Sequence, residues 1–269
     1  MSGSTRWLTP TSGVLSGYSH TLNPYVGCSF GCSYCYVRRL PVGLFRGEPW
    51  GSWAEPKKGD PAKLVREIAA ARRRGPVTIF FSSATDPYQP LEAKTGLTRV
   101  LLEAMAIERP DFVLLQTRSP LVTRDIDLLA RLGDRVRVSM TVETDRDDMR
   151  RLFTPSAPPI AARLRALRTL REAGVPTQAA VSPLLPHTPD FAALLVEEVT
   201  RIVVDDYWQG DGSGGRRSEA LGMRELYEEN NLTEWYNPAT IERLVTQIRT
   251  LAPTHTIGVS AEGFAPTPT

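Results

Sequence analysis

Cysteine is scarce in this chain of 269 residues. There are three, Cys28, Cys32 and Cys35, all within the stretch GCSFGCSYCY (27–36). Thiols gathered in one short loop make no disulfide framework, which leaves metal or redox chemistry as their reading. Long apolar runs are also lacking. None approaches the roughly 18 residues of a membrane-spanning helix, which excludes that class. No basic region followed by an apolar core opens the chain, so no secretory signal is expected and a cytoplasmic location is the default. An excess of one charge is missing too: 32 Lys and Arg face 30 Asp and Glu, a net +2. That balance neither requires nor excludes a nucleic-acid partner. The run Arg72-Arg73-Arg74 falls at the end of a predicted helix, where cations suit the dipole and the solvent. The glycine-rich stretch QGDGSGGRRS (209–218) lacks the lysine and hydroxyl of a phosphate-binding loop and reads as a mobile loop.

What is present is an alternation of strands and helices. Asp60-Pro61 starts a helix, with a capping carboxylate before proline in the first turn. Leu64, Ile68 and Ala71 follow at helical spacing, and Gly75-Pro76 ends it. The apolar run VTIFF (77–81) is a strand buried on both faces. Helices near 97–107, 124–132, 159–173 and 190–200 then precede strands at 112–116, 136–142, 177–182 and 201–205. This pattern predicts a parallel sheet of right-handed βαβ units. With a first strand at TLNPYV (21–26), six strands form a curved, partial (β/α)6 barrel; a doubly wound open sheet is the alternative. The expected organisation is a core over 1–208, with an N-terminal extension inside it. The segment 209–269 follows as a short mixed C-terminal extension, with helices near 219–230 and 238–251 and an apolar run at 256–260.

The cysteine spacing is C-x3-C-x2-C. A structural zinc site would need a further ligand from His20, His187, His255 or a carboxylate. A cubane 4Fe–4S cluster has four irons, so three thiolates leave one open to a ligand that comes and goes. Tyr34, directly before Cys35, would shield the cluster or that ligand from water.

At these residues the chain resembles the radical S-adenosylmethionine (SAM) superfamily, whose signature C-x3-C-x-aromatic-C is met by CSFGCSYC (28–35). The loop also follows the first strand, as in the partial barrel of that superfamily. The resemblance implies a 4Fe–4S cluster and SAM as cofactors, with SAM chelating the open iron through its amino and carboxylate groups. An electron from the cluster splits SAM into methionine and a 5′-deoxyadenosyl radical, which abstracts hydrogen from a substrate. A reducing protein such as flavodoxin or ferredoxin is implied as partner.

LNPYVGCSFGCSYCY, SSATDPYQPLE (82–92) and LLQTRSPLVTRDIDLL (114–129) together resemble the spore photoproduct lyase-like branch. By position, Ser83, Thr85 and Asp86 would offer oxygens to the SAM amino group, although the usual Gly-Gly-Glu is absent. Arg118 would grip the SAM carboxylate. Ser139 and Thr141, with Glu143 on the same strand face, are placed toward ribose or methionine. Each has an ordinary alternative: turns at 86–90, pairing of Arg118 with Asp125 or Asp127, plain strand residues at 139 and 141. Spore photoproduct lyase is thought to return a hydrogen atom through an additional cysteine. No fourth cysteine exists here, so that route is not expected. Tyr88 and Tyr207 are the candidate hydrogen donors instead, or packing residues.

Three functions follow. One is a radical SAM enzyme, lyase or transferase, acting on a small-molecule or nucleoside-like substrate. Another is a nucleic-acid repair or modification enzyme with the same chemistry, using Arg38, Arg39 and Arg46 as a basic face. The third is a non-catalytic metal-stabilised binding module. Trp50, Trp53, Trp235 and Tyr236 would line a substrate pocket or cover the barrel.

Overall fold

The computed structural model describes residues 6–15 and 17–266. Its strands are β1 (Leu8–Pro10), β2 (His20–Leu22), β3 (Tyr25–Gly27), β4 (Ala54–Pro56), β5 (Thr78–Phe81), β6 (Phe112–Thr117), β7 (Val136–Thr141), β8 (Thr177–Val181), β9 (Arg201–Val204) and β10 (Thr256–Val259). One sheet has the order β1-β2-β5-β6-β7-β8-β9-β10. All its neighbouring pairs are parallel except β1, which lies antiparallel on β2 at the edge. The sheet is open, and β1 and β10 are its two ends.

The parallel run thus has seven strands rather than the expected six. The added one is β10, from the apolar run at 256–260, whose Thr256 to Val259 lie in register with Arg201 to Val204 of β9. The expected first strand at 21–26 is split. Pro24 has no N–H for a ladder, and the Asn23 side chain turns aside to accept from the Ala84 N–H at 2.9 Å. Beyond this break β3 leaves the sheet and pairs antiparallel with β4. The cysteine loop lies between those two strands.

Alternation along each strand sorts the two faces. Val113 and Leu115 of β6, with Ile79 and Phe81 of β5, join the main core against the helices Ala62–Arg72, Leu97–Ile107, Ile126–Leu132, Ile160–Glu172, Phe191–Glu198 and Ala239–Leu251. Phe112 and Leu114, with Phe80, face the other way and pack with Tyr18. The concave face is therefore closed by the N- and C-terminal segments, and the Tyr18 hydroxyl donates to the Phe264 carbonyl at 2.5 Å. Asp60 caps its helix as expected, its Oδ1 accepting from the Ala62 N–H at 2.9 Å.

The glycine-rich stretch differs from the expected mobile loop. The Asp211 carboxylate accepts from the backbone N–H groups of Ser213, Gly215, Arg217 and Ser218, which folds the stretch around one buried side chain. No helix is long and apolar enough to cross a membrane among the described residues.

Candidate active site

The cysteine loop is held by close backbone packing. Gly27 has φ of 81°, and a Cβ there would lie 2.4 Å from the Trp53 ring. Gly31, with φ of 59°, lies against the backbone of Gly51, its would-be Cβ 3.0 Å from that Cα. Only glycine serves both conformation and contact. Within this frame Cys28 and Cys32 are buried, Cys35 is half-buried, and all three thiols are free. They line one cavity of about 710 Å3, formed at the C-terminal ends of the parallel strands. Burial pushes all three thiols up from their ordinary range, Cys35 to about 12.

The donor set fits a cluster. Among the described residues no three His, Cys, Asp or Glu side chains converge as a single metal ion needs. Three free thiols on one loop, all lining the same cavity, are the donor set of a multi-iron cluster in which each would meet its own iron. The histidines look elsewhere: His20 Nδ1 contacts the Ser19 hydroxyl, His187 Nδ1 the Thr188 carbonyl and His255 Nε2 the Val196 carbonyl. None of them lines the cavity, so the zinc alternative finds no histidine there.

The ends of β5 to β7 form the wall beside the cysteines. Ser83 Oγ accepts from Asn23 Nδ2 at 3.2 Å, and the Ser83 carbonyl accepts from the Tyr36 hydroxyl at 2.5 Å. Thr85 donates to the Gly27 carbonyl at 2.5 Å and accepts from Gln89 Nε2 at 3.0 Å, which ties this strand end to the cysteine loop. Asp86 lines the cavity, yet its oxygens are taken. They accept from the Thr117 hydroxyl at 2.7 Å and from the Arg118 and Tyr88 N–H groups, each at 2.9 Å. It clasps the ends of β5 and β6 together.

Arg118 lines the cavity but does not pair with Asp125 or Asp127, which bind Arg99. Its Nη1 donates to Glu143 at 2.7 Å and to the Tyr34 hydroxyl at 3.0 Å. The Tyr34 hydroxyl donates to the same Glu143 oxygen, and the fully buried Arg163 holds the other at 2.6 Å. Burial alone would raise the Glu143 carboxyl, but Arg163 and Arg118 hold it below its ordinary range. Thr141 lines the cavity and its hydroxyl accepts from Gln116 Nε2 at 2.8 Å. Ser139, two residues earlier on the same face, lies one layer deeper. It accepts from Gln178 Nε2 at 2.9 Å and does not reach the cavity. Side-chain layers fill the interior of such curved parallel sheets, so one strand repeat separates lining from packing.

The two candidate tyrosines separate. Tyr88 points into the main core and donates to Asp125 at 3.0 Å, away from the cavity. The turn at Asp86 and Pro87 sends it away from the cavity and into that core. Tyr207 lines the cavity, 6.3 Å from the Tyr34 ring, with its hydroxyl 3.1 Å from that of Tyr227. Trp50 reaches the cavity, whereas Trp53, Trp235 and Tyr236 do not. Trp53 packs on Gly27, Trp235 on His187, and Tyr236 on Trp208.

Among the lining residues to which the sequence reading gave no role are Ser82, quoted there only as the start of its segment, and Ser182, Asp205 and Ser260. Each is the first residue after a strand, β5, β8, β9 and β10 respectively. That shared position is the signal that would have found them. Ser82 (φ 79°) and Ser260 (φ 48°) sit in the left-handed region, an arrangement that costs energy and collects at functional sites. The Ser82 hydroxyl is buried with no hydrogen-bond partner among the described residues. Asp205 is also buried and has no ion-pair partner among them. Its carboxylate meets the Asp206 N–H at 3.0 Å, Ser182 at 3.5 Å and the Ser260 side chain. Burial pushes it up to about 7. The packing makes room for it, since a Cβ on Gly210 would sit 2.5 Å from Asp205 Oδ2.

An open, curved parallel sheet that encloses a cavity with three free thiols after its first parallel strand defines a class: enzymes that run their chemistry from a bound iron–sulfur cluster. Comparison with known proteins gives the family. The family model described as the Radical SAM superfamily matches residues 22–195. The chain belongs to the radical SAM superfamily, enzymes that use a 4Fe–4S cluster and S-adenosylmethionine. An uncharacterized protein of Methanocaldococcus jannaschii is 30% identical over 190 residues, 71% of this chain and 69% of that one. Among solved structures, spore photoproduct lyase complexed with dinucleoside spore photoproduct superposes with a TM-score of 0.65 at 16% identity, over 96% of this chain and 80% of that one. Streptococcus suis SuiB bound to S-adenosylmethionine gives a TM-score of 0.59 at 14% identity, over 89% and 49%. These two likenesses carry the partial-barrel fold.

Proposed function

We propose that this enzyme abstracts hydrogen from a small-molecule or nucleoside-like substrate held inside the cavity. The observation that supports this most is the composition of the cavity. It has three thiols and Arg118 on one side, an unpaired carboxylate at Asp205 on the other, and a volume of about 710 Å3. That volume suits a cofactor together with a compact substrate. When bound, the cluster and SAM supply the radical chemistry. Cys28, Cys32 and Cys35 would hold the cluster. Arg118 uses Nη1 on Glu143 and Tyr34, and its remaining N–H groups would take a carboxylate in the cavity it lines. The free hydroxyl of Ser82, with Ser83 and Thr85 beside it, would accept from an ammonium. Thr141 would contact ribose or methionine. Tyr34, locked between Arg118 and Glu143, would exclude water from the cluster side.

On the far wall, Asp205 with Ser182 and Ser260 would anchor a hydrogen-bond-donating group of the substrate, preferably a protonated nitrogen. Tyr207 is the hydrogen donor on this reading, since Tyr88 points away. Residues 1–208 would form the catalytic core, and 209–269 would complete the far wall through Asp211, Arg217 and Ser260. A nucleic-acid lesion is the second reading, favoured by the dinucleoside in a structural neighbour. The carboxylates of Asp205, Asp206 and Asp211 in the lining oppose it, because they repel phosphates.

The test is anaerobic SAM cleavage by reconstituted enzyme in two mixtures, the small-molecule fraction of a cell extract and ultraviolet-irradiated DNA. We expect the small-molecule fraction to raise 5′-deoxyadenosine formation above the uncoupled rate. Stimulation by irradiated DNA alone would overturn the proposal in favour of the second reading.

A further inference from the structure

The glycine-rich stretch 209–218 reaches the cavity through Gly210, Asp211, Gly212, Arg217 and Ser218. Among the described residues, the charged side chains in the lining are Asp86, Arg118, Asp205, Asp206, Asp211 and Arg217. Most of them are occupied. Asp86 accepts from Thr117, Arg118 and Tyr88, and Arg118 is paired with Glu143. Asp206 caps the short helix Tyr207–Gly210 by accepting from the Trp208 and Gln209 N–H groups. Asp211 accepts from the backbone N–H groups of its own loop. Two charges are left over, and they are of opposite sign: Asp205 and Arg217. Neither has an ion-pair partner among the described residues, and they do not pair with each other.

One piece of chain fixes both charges. Asp205 follows β9 directly, and its Oδ2 lies against Gly210, where a Cβ would come within 2.5 Å. One residue on, the Asp211 carbonyl accepts from Arg217 Nη1 at 2.6 Å, while the Asp211 carboxylate accepts from the Arg217 N–H at 3.0 Å. Arg217 is thus gripped at its backbone and at one arm of its guanidinium. Its Nε and Nη2 make no hydrogen bond among the described residues, and the side chain is half-buried in the cavity lining. The carboxylate and the guanidinium therefore flank one dipeptide, Gly210-Asp211, without neutralising each other. Opposite charges held apart on a common frame match a ligand that carries both signs.

We propose that the substrate is a zwitterion of the amino-acid type, with its ammonium on Asp205 and its carboxylate on Arg217. The inference rests on the reading of the cavity as a small-molecule site and narrows it. The unused Nε and Nη2 of Arg217 form the side-on fork that takes both oxygens of a carboxylate. The hydroxyls of Ser182 and Ser260, beside Asp205 in the lining, accept the remaining ammonium protons. A carboxylate suits this wall better than a phosphate, because Asp205, Asp206 and Asp211 set three negative charges against a dianion. The amino-acid group of SAM has its own place on the wall of Arg118 and the thiols, so the pair Asp205 and Arg217 is left for a second molecule.

The experiment follows 5′-deoxyadenosine formation by the reconstituted full chain with fractions of a small-molecule cell extract. The amphoteric fraction is the one retained by a cation exchanger at low pH and by an anion exchanger at high pH. We expect this fraction to carry the stimulation, and expect acetylation of its amines or amidation of its carboxylates each to abolish it. Phosphatase treatment should leave it in place. Arg217→Gln should raise the half-saturating amount of the fraction by about tenfold or more, and Arg217→Lys should recover part of that loss. Iron content and melting temperature check the fold of each variant. Stimulation that survives acetylation or amidation, or that resides in a fraction without amines, would overturn the proposal and leave the small-molecule reading standing. Loss on phosphatase treatment would overturn the carboxylate in favour of a phosphate. Affinity for SAM about tenfold weaker in Arg217→Gln would overturn it by assigning Arg217 to the cofactor. Stimulation by irradiated DNA alone would overturn both readings.

Discussion

The two walls of the cavity treat charge in opposite ways. On the β5–β7 side, Arg118, Arg163 and the Tyr34 hydroxyl all bind the Glu143 carboxylate, which is thereby fully paired. On the β8–β10 side, Asp205 is also buried but has no ion-pair partner among the described residues. A buried carboxylate between two arginines is complete in itself and holds its neighbours in place. A buried carboxylate with only hydroxyls and a backbone N–H is incomplete until a ligand arrives. On the proposed function, the difference would separate a wall shaped in advance for a fixed cofactor from one that waits for a substrate.

The pH signatures of the walls are opposite as well. Glu143 is held below its unfolded value, so its contribution is present above about pH 4 and lost as pH falls through the folded value. Asp205 is raised to about 7, so the folded chain binds its proton more tightly than the unfolded chain. Its effect on stability is therefore unfavourable as pH rises from about 4 to 7 and constant above that.

The largest expected effect comes from the loop that faces both walls. Replacing Cys28, Cys32 or Cys35 singly by serine should reduce SAM cleavage by more than about a thousandfold, with iron content falling in parallel. Retained iron and activity in any one variant would break the assignment of that thiol.

Next is Glu143→Gln, which removes the charge that the two arginines share and leaves Arg163 buried without its ion-pair partner. A loss of roughly 3–5 kcal/mol is expected in denaturant unfolding of the cluster-free chain. A loss under about 1 kcal/mol would mean that the Glu143 pairing does not hold this wall together.

Asp205→Asn should act in the other direction on stability. Above pH 7 it should stabilise the free chain by on the order of 2 kcal/mol and flatten the stability profile between pH 4 and 7. SAM cleavage without substrate should persist, while substrate-stimulated turnover is lost. A variant that binds SAM at least tenfold more weakly would place Asp205 with the cofactor and erase the contrast.

The smallest effect is expected from Tyr207→Phe. Losing its contact with the Tyr227 hydroxyl costs about 1 kcal/mol in stability. The diagnostic readout is product partitioning, since 5′-deoxyadenosine should accumulate in excess of product. Unchanged partitioning would return Tyr207 to a packing role.

Much of this architecture could be read before any coordinates. Strand periods, helix caps and the cysteine spacing are local, so the alternation from β5 to β9 and the place of the cysteine loop are legible. β10 was harder, because a short run at 256–260 shows its place only by pairing with β9. The site was legible where a motif marks it and obscure where the curl of the sheet makes it. Ser82, Ser182, Asp205 and Ser260 lie far apart in sequence and meet only because each follows a strand that ends at the same rim. Ser139 and Thr141 share a face as alternation requires, yet only the second reaches the cavity, since depth along a strand is not a periodic signal. Tyr88 and Tyr207 both follow strands, and a proline turn sends the first to the opposite side.

The most direct test of the central claim is an electron paramagnetic resonance spectrum of the reduced, anaerobically reconstituted protein, recorded with and without SAM. We predict a 4Fe–4S signal that shifts when SAM is added, together with formation of 5′-deoxyadenosine. Zinc in place of iron, or a cluster signal indifferent to SAM, would contradict an open iron held by three thiols and would bring the binding-module reading forward.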